Sequence, residues 1–129
     1  MTGPAIQDEL RRFILTSTLT VPHVEAILLL RKDAATNWDA RRLASRLYVA
    51  DKRAAELLAE LCAMGMLART EDAPSYRYAP STPELATLLD HLADTYARQL
   101  VEVTELIHAA GDPVARQFAA AFRFRKEPN

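Results

Sequence analysis

Between Trp38 and Tyr78 the chain reads WDARRLASRLYVADKRAAELLAELCAMGMLARTEDAPSYRY, and the hydrophobic spacing in this stretch decides the fold. From Asp39 to Val49, Leu43, Ala44 and Leu47 fall on one helical face. The next run puts Ala54, Leu57, Leu58, Leu61 and Met64 on another, which leaves only Ala50 and Asp51 for the turn between two short helices. Leu67 to Thr70 and Tyr76 to Ala79 then alternate as strands around the loop Glu71-Asp-Ala-Pro-Ser75. Gly65 stands at the corner between the second helix and the first strand, where a residue that accepts positive φ without steric cost is needed.

Outward from this stretch the pattern stays helical. Ile6, Leu10, Phe13 and Ile14 make an amphipathic N-terminal helix that must lie against something, a second chain being one option. Pro22 sits near the start of a helix that ends by Lys32 to Asp33, and whose Val24, Ile27, Leu28, Leu29 and Leu30 are apolar almost all round. Ala34 to Trp38 is a short connection with room for a one- or two-residue strand anchored by Trp38. Asp39 is suited to N-cap the following helix, and Asp51 to cap or charge the first turn of the one after it. Ser81-Thr-Pro-Glu84 has the capping-box spacing and opens a helical pattern that meets no Gly or Pro from Glu84 to Ala110. A continuous helix from Thr82 to Ala110 would have about 29 residues and span roughly 43 Å.

On that helix Leu85, Leu89, Leu92, Tyr96, Gln99, Val103, Leu106 and Ala110 recur in alternating steps of four and three, a heptad seam that Leu88, Leu100 and Ile107 widen, which leaves room for part of it to pack on its own domain and part on another protomer. Gly111-Asp-Pro113 stops it and starts a final helix on which Val114, Phe118 and Phe122 share a face, before the basic tail Arg123, Arg125 and Lys126. The expected organisation is a helical extension at 1–20, a helix-turn-helix and hairpin domain at 21–80, and a long helix plus a short final helix at 81–129. The seam residues Leu85, Leu89, Leu92, Tyr96, Val103 and Leu106, with Phe118 and Phe122, are the expected homodimer contact.

The whole chain, 129 residues and 50% hydrophobic, suffices for one core and is short for two. Three glycines in the sequence and abundant Ala, Leu, Arg and Glu favour a mainly α protein with a small β-hairpin. A formal charge of -1 is not the basic footprint of a dedicated nucleic-acid binder. No run approaches a membrane span and the start MTGPAIQDELRR has no apolar signal core, so a soluble cytoplasmic protein with no membrane partner is expected. The lone Cys62, among Leu61, Met64 and Leu67, reads as a buried structural thiol.

From about Pro22 to Ala79 the chain resembles the winged helix-turn-helix transcriptional regulators. The run Leu61-Cys-Ala-Met-Gly65-Met-Leu67-Ala-Arg69 is similar to the leucine, glycine, apolar pair and arginine with which they leave the second helix for the wing. The long helix that follows makes the broad MarR-like group the nearest comparison. The resemblance covers under half of the chain. It implies a DNA-binding regulator acting as a homodimer on double-stranded DNA, its second helix entering the major groove.

On that helix the outward positions are Lys52, Arg53, Ala55, Glu56, Ala59 and Glu60. Arg53 suits a guanine edge and Lys52 a phosphate, with Arg41, Arg42, Arg46, Arg69 and Arg77 available to the backbone. Glu56 and Glu60 fit poorly, since phosphates repel a carboxylate unless it accepts from a cytosine amino group. The wing tip, which in a minor-groove reader carries cations, presents Glu71 and Asp72. Charge is segregated: residues 21–50 carry a net +2 and residues 81–110 a net -4, counted from the sequence. Arginines on a solvated helix face also serve solubility alone. The alternative is therefore a winged-helix protein-protein interaction module that does not bind DNA and holds a protein partner by its acidic face or long helix. A ligand-sensing regulator is a further option.

Nothing points to catalysis: there is no Gly-rich phosphate loop, no Gly-x-Ser-x-Gly elbow and no Cys-His pair at motif spacing. His91 with Asp94 and Glu105 with His108 are i, i+3 pairs, a spacing used in bundle metal sites, but with His23 in another segment the ligands do not add up to a site. No metal and no cofactor is expected.

Overall fold

The computed structural model describes residues 6–71 and 74–111. The expected final helix with Val114, Phe118 and Phe122, the basic tail and Asp72 lie outside these residues. Among the described residues the protein is mainly helical with one small antiparallel hairpin: α1 (Asp8–Thr16), α2 (Val21–Lys32), α3 (Ala40–Leu47), α4 (Asp51–Ala63), β1 (Leu67–Arg69), β2 (Tyr76–Tyr78), α5 (Pro83–Arg98) and α6 (Leu100–Gly111). No described helix is long and apolar enough to cross a membrane. The described residues divide into two compact units, one within 22–93 and the other combining 6–21 with 94–111.

In the first unit, α4 buries Ala54, Leu57, Leu58 and Leu61, the i, i+3, i+4, i+7 stripe of an amphipathic helix, and packs against α3 and β1. Each of these leucines, withdrawn from water, contributes about 1.5–3 kcal/mol to folding. Leu43 and Ala44 of α3 are buried too. α2 buries Val24, Ala26, Ile27 and Leu30 with one polar side chain, His23. Asp39 caps α3 as its residue type suggests, accepting from the Arg42 N–H at 2.8 Å.

The corner after α4 is built on Gly65, whose φ is +81°. Its N–H donates to the Cys62 carbonyl at 3.0 Å and the Met66 N–H to that of Leu61 at 3.1 Å. These paired bonds satisfy the last carbonyls of α4 and make a Schellman ending, which turns the chain into β1. In the hairpin Leu67 faces Tyr78, Ala68 faces Arg77 and Arg69 faces Tyr76. Trp38 adds a bridge on the other side of β2: its N–H donates to the Tyr76 carbonyl at 2.7 Å and it accepts the Tyr76 N–H at 2.8 Å. The short connection before α3 therefore does hold a one-residue strand, with Trp38 buried at 1% exposure.

Three expectations are corrected. The turn between α3 and α4 is Tyr48-Val49-Ala50, not Ala50-Asp51: α3 stops at Leu47, where Tyr48 enters the left-handed region (φ 58°, ψ 44°), and Asp51 is already helical. Left-handed backbone costs a residue with a Cβ about 1–2 kcal/mol, so apolar spacing alone gave no reason to place it there. The cap of α5 is Thr82, not Ser81. Its hydroxyl accepts the Leu85 N–H at 3.0 Å, while the Ser81 N–H is committed to the Gly65 carbonyl at 2.8 Å. Pro83 then takes the first helical position, where its missing N–H costs nothing.

The long helix, finally, is interrupted at Gln99 between α5 and α6. The Gln99 N–H still donates to Thr95 at 2.7 Å and its carbonyl still accepts from Val103 at 3.0 Å. An apolar stripe reports which face is buried and not whether the helix continues unbroken.

The second unit packs α1 against α6, with Leu10 and Ile14 of α1 and Val103, Ile107 and Ala110 of α6 buried. α1 thus finds its apolar partner in its own chain. Of the expected dimer seam, Leu89 and Leu92 of the first unit and Val103 of the second are buried, and Leu85, Tyr96 and Leu106 half-buried. The large apolar residues that α6 exposes are instead Leu100 (52%) and Val101 (63%).

Candidate nucleic-acid interface

The outward face of α3 consists of Arg41, Arg42, Ser45 and Arg46, all exposed, with Leu43 and Ala44 on the opposite side. No carboxylate lies on it. Two of the arginines are held in place by aromatic stacking: the Arg42 guanidinium lies 5.5 Å and that of Arg46 5.8 Å from the centre of the Trp38 ring. Arg42 also reaches the Asn37 carbonyl at 3.4 Å. A cation over an indole face gains about 0.5–1 kcal/mol at an exposed site and loses rotamer freedom beforehand, which leaves less to lose when it meets an anion. The sequence marks Trp38 as an anchor but carries no sign of this stacking, which depends on the bridge to Tyr76 presenting the ring under α3.

α4 follows after the turn. Lys52 is exposed in its first turn. Arg53 is less free than its position suggests: its guanidinium donates to the Glu56 carboxylate at 3.3 Å and lies 4.0 Å from that of Glu60. Glu60 has a second partner, the buried His23 imidazole of α2, at 2.6 Å. The two carboxylates that oppose DNA binding thus each face a partner within the fold, and Glu60 ties α4 to α2. Local spacing could not reveal the His23 contact, since its partners are 37 residues apart.

On the hairpin Arg69 and Arg77 are exposed, with the Arg69 guanidinium 6.0 Å from the centre of the Tyr76 ring. Tyr76 is buried and Tyr78 half-buried, so neither aromatic is free to stack on a base. Burial pushes the Tyr78 phenol above its ordinary value of 10.0, with Asp90 adding to the rise and the Arg31 guanidinium opposing it. Arg31 and Asp90 themselves pair at 2.9 Å, joining α2 to α5 behind the hairpin. Glu71 is exposed at the hairpin tip.

Among the described residues no three His, Cys, Asp or Glu side chains come together as a possible metal site. Asp94 is engaged by Arg98 on its own helix. Cys62 is half-buried on the last turn of α4, less enclosed than expected of a core thiol. Tyr48 is 94% exposed in the α3–α4 turn, and an aromatic between Leu47 and Val49 gives no local sign in the sequence of facing solvent. No protein-family model, no curated protein and no solved structure shows a significant match to this chain.

Proposed function

We propose that this protein is a winged helix-turn-helix regulator of transcription that binds double-stranded DNA. The observation that carries the proposal is the outward face of α3, three arginines and a serine with no acid, two of the arginines pre-ordered on Trp38. Such a face suits phosphate oxygens, which account for most of the affinity of DNA-binding proteins. The order α2, single-strand bridge, α3, turn, α4 and hairpin supports the winged-helix part of the proposal. In this scheme α4 enters the major groove with Lys52 and Arg53 leading, and Arg69 and Arg77 bring the hairpin to the backbone.

The test is fluorescence anisotropy with a labelled mixed-sequence duplex of about 30 base pairs, titrated from about 50 to 200 mM salt. Wild-type protein should bind at low salt and weaken steeply as salt rises. Replacing Lys52 and Arg53 together with Ala should weaken binding and flatten the salt dependence by about one to two units of log–log slope. Absence of any affinity at the lowest salt refutes the proposal.

Homodimerisation is part of the proposal; of the heptad seam Leu89, Leu92 and Val103 are buried, while Leu85, Tyr96 and Leu106 are half-buried and keep part of their surface for such a contact. Leu100 and Val101 are the exposed apolar pair available to it. Sedimentation equilibrium should then give a dimer for the wild type and a monomer for Leu100→Asp/Val101→Asp. The same exposed pair favours the second reading, a protein-protein interaction module. A stoichiometric protein complex lost in that double variant, without any duplex affinity, would decide for it.

A further inference from the structure

Tyr48 is the one non-glycine residue, among those described, with a positive φ, and its side chain is 94% exposed. Both facts run against the needs of the fold. The ring gains nothing from burial, and the backbone carries a strain that glycine or asparagine at the same place would relieve. The N–H groups of Tyr48 and Val49 both donate to the Ala44 carbonyl, so the turn holds the residue in a fixed position.

Its surroundings in the chain indicate what the ring meets. Tyr48 follows directly on the exposed arginine face of α3 and precedes exposed Lys52 of α4, with Asp51 as the one acid between. We infer that Tyr48 is a contact residue for the sugar-phosphate backbone of duplex DNA, its hydroxyl donating to a phosphate oxygen and its ring packing on the adjoining deoxyribose. The inference rests on the DNA-binding proposal and adds the turn to the helices and hairpin as part of the same surface. Tyrosine hydroxyls are regular phosphate donors, and a two-torsion aromatic on a rigid turn loses little freedom on contact.

Replacing Tyr48 with Asn separates this role from folding, because asparagine tolerates the left-handed region and lacks the ring. Thermal melting should show Tyr48→Asn at least as stable as the wild type. Affinity for the labelled mixed-sequence duplex of about 30 base pairs should fall about tenfold. Its salt slope should be unchanged, since no charge has been removed. Tyr48→Phe, which lacks only the hydroxyl, should bind about threefold more weakly with the same melting temperature.

A Tyr48→Asn variant that binds the duplex as tightly as the wild type overturns the inference while leaving the DNA-binding proposal standing, and moves Tyr48 to a protein contact. A variant that melts below the wild type overturns it as well, since the ring then serves the fold. Lack of duplex binding by the wild type removes both together.

Discussion

Replacing Glu56 with Gln is expected to tighten DNA binding, a gain from the loss of a native ion pair. Gln keeps the length and helix propensity of Glu, so α4 is left intact. The Arg53–Glu56 contact is 3.3 Å with both side chains partly exposed, 37% and 46%. Coulomb's law in bulk water gives about 1.3 kcal/mol at that distance, and the entropy of ordering two long side chains reduces this to about 0.3–0.5 kcal/mol. That amount would no longer oppose the turning of Arg53 toward a base edge. Removing the carboxylate also relieves repulsion from the facing phosphates. One such pair at about 10 Å is worth about 0.4 kcal/mol before screening and about a third of that at 0.1 M salt, so two or three phosphates give about 0.3–0.5 kcal/mol. The total, about 0.6–1 kcal/mol, corresponds to about three- to fivefold tighter binding. Anisotropy titrations of wild type and Glu56→Gln against the same duplex at 0.1 M salt, within the range used above, measure it. Weaker binding by the variant would refute the reasoning and make Glu56 a base contact. Unchanged binding would take the first half of α4 out of the interface.

Other substitutions test the frame that holds these residues. At Gly65 an added Cβ would lie 2.7 Å from the Ser81 hydroxyl, which can rotate away, so Gly65→Ala should lose about 1–2 kcal/mol, mostly from left-handed backbone. In urea melts Gly65→Ala/Ser81→Ala should recover less than half of that loss, and full recovery would show that the clash dominates. Trp38 is the only tryptophan of the chain, so its emission reports on the arginines above it. Arg42→Ala/Arg46→Ala should red-shift the spectrum and raise acrylamide quenching, and an unaltered spectrum would mean that the stacking does not shield the ring. Tyr78 has a raised folded-state pKa, so the stability it lends as a neutral phenol is complete below about pH 10 and is lost as pH rises through the folded value. Tyr78→Phe should therefore lose melting temperature less steeply than the wild type above pH 10, and parallel curves would contradict this.

Local patterns carried the elements a short way each. Asp39 is read correctly as a cap because its carboxylate bonds an N–H three residues on. Gly65 is read as a corner because the ending of α4 needs positive φ, and Ala54, Leu57, Leu58 and Leu61 as a buried face because the helix period puts them together. Lys52, Arg41, Arg42 and Arg46 were legible as exposed cations for the same reason, lying off the apolar stripe. The sequence by itself thus determined the order of helices and hairpin and the sign of charge on α3.

What depended on distant residues was decided only by the tertiary structure. α5 begins at Pro83, so Thr82 and not Ser81 stands at the capping position, while the Ser81 N–H bonds back to Gly65. Glu60 met His23 across two helices, and the Arg53 carboxylate partners set how available that guanidinium is. The heptad seam marked residues that need covering but not what covers them, and Leu89, Leu92 and Val103 are covered within the chain. Tyr48 shows the same limit most clearly. Helical periodicity is a property of neighbours a few residues apart, whereas the end of α3 and the exposure of that ring follow from how α3 and α4 pack, which no local spacing encodes.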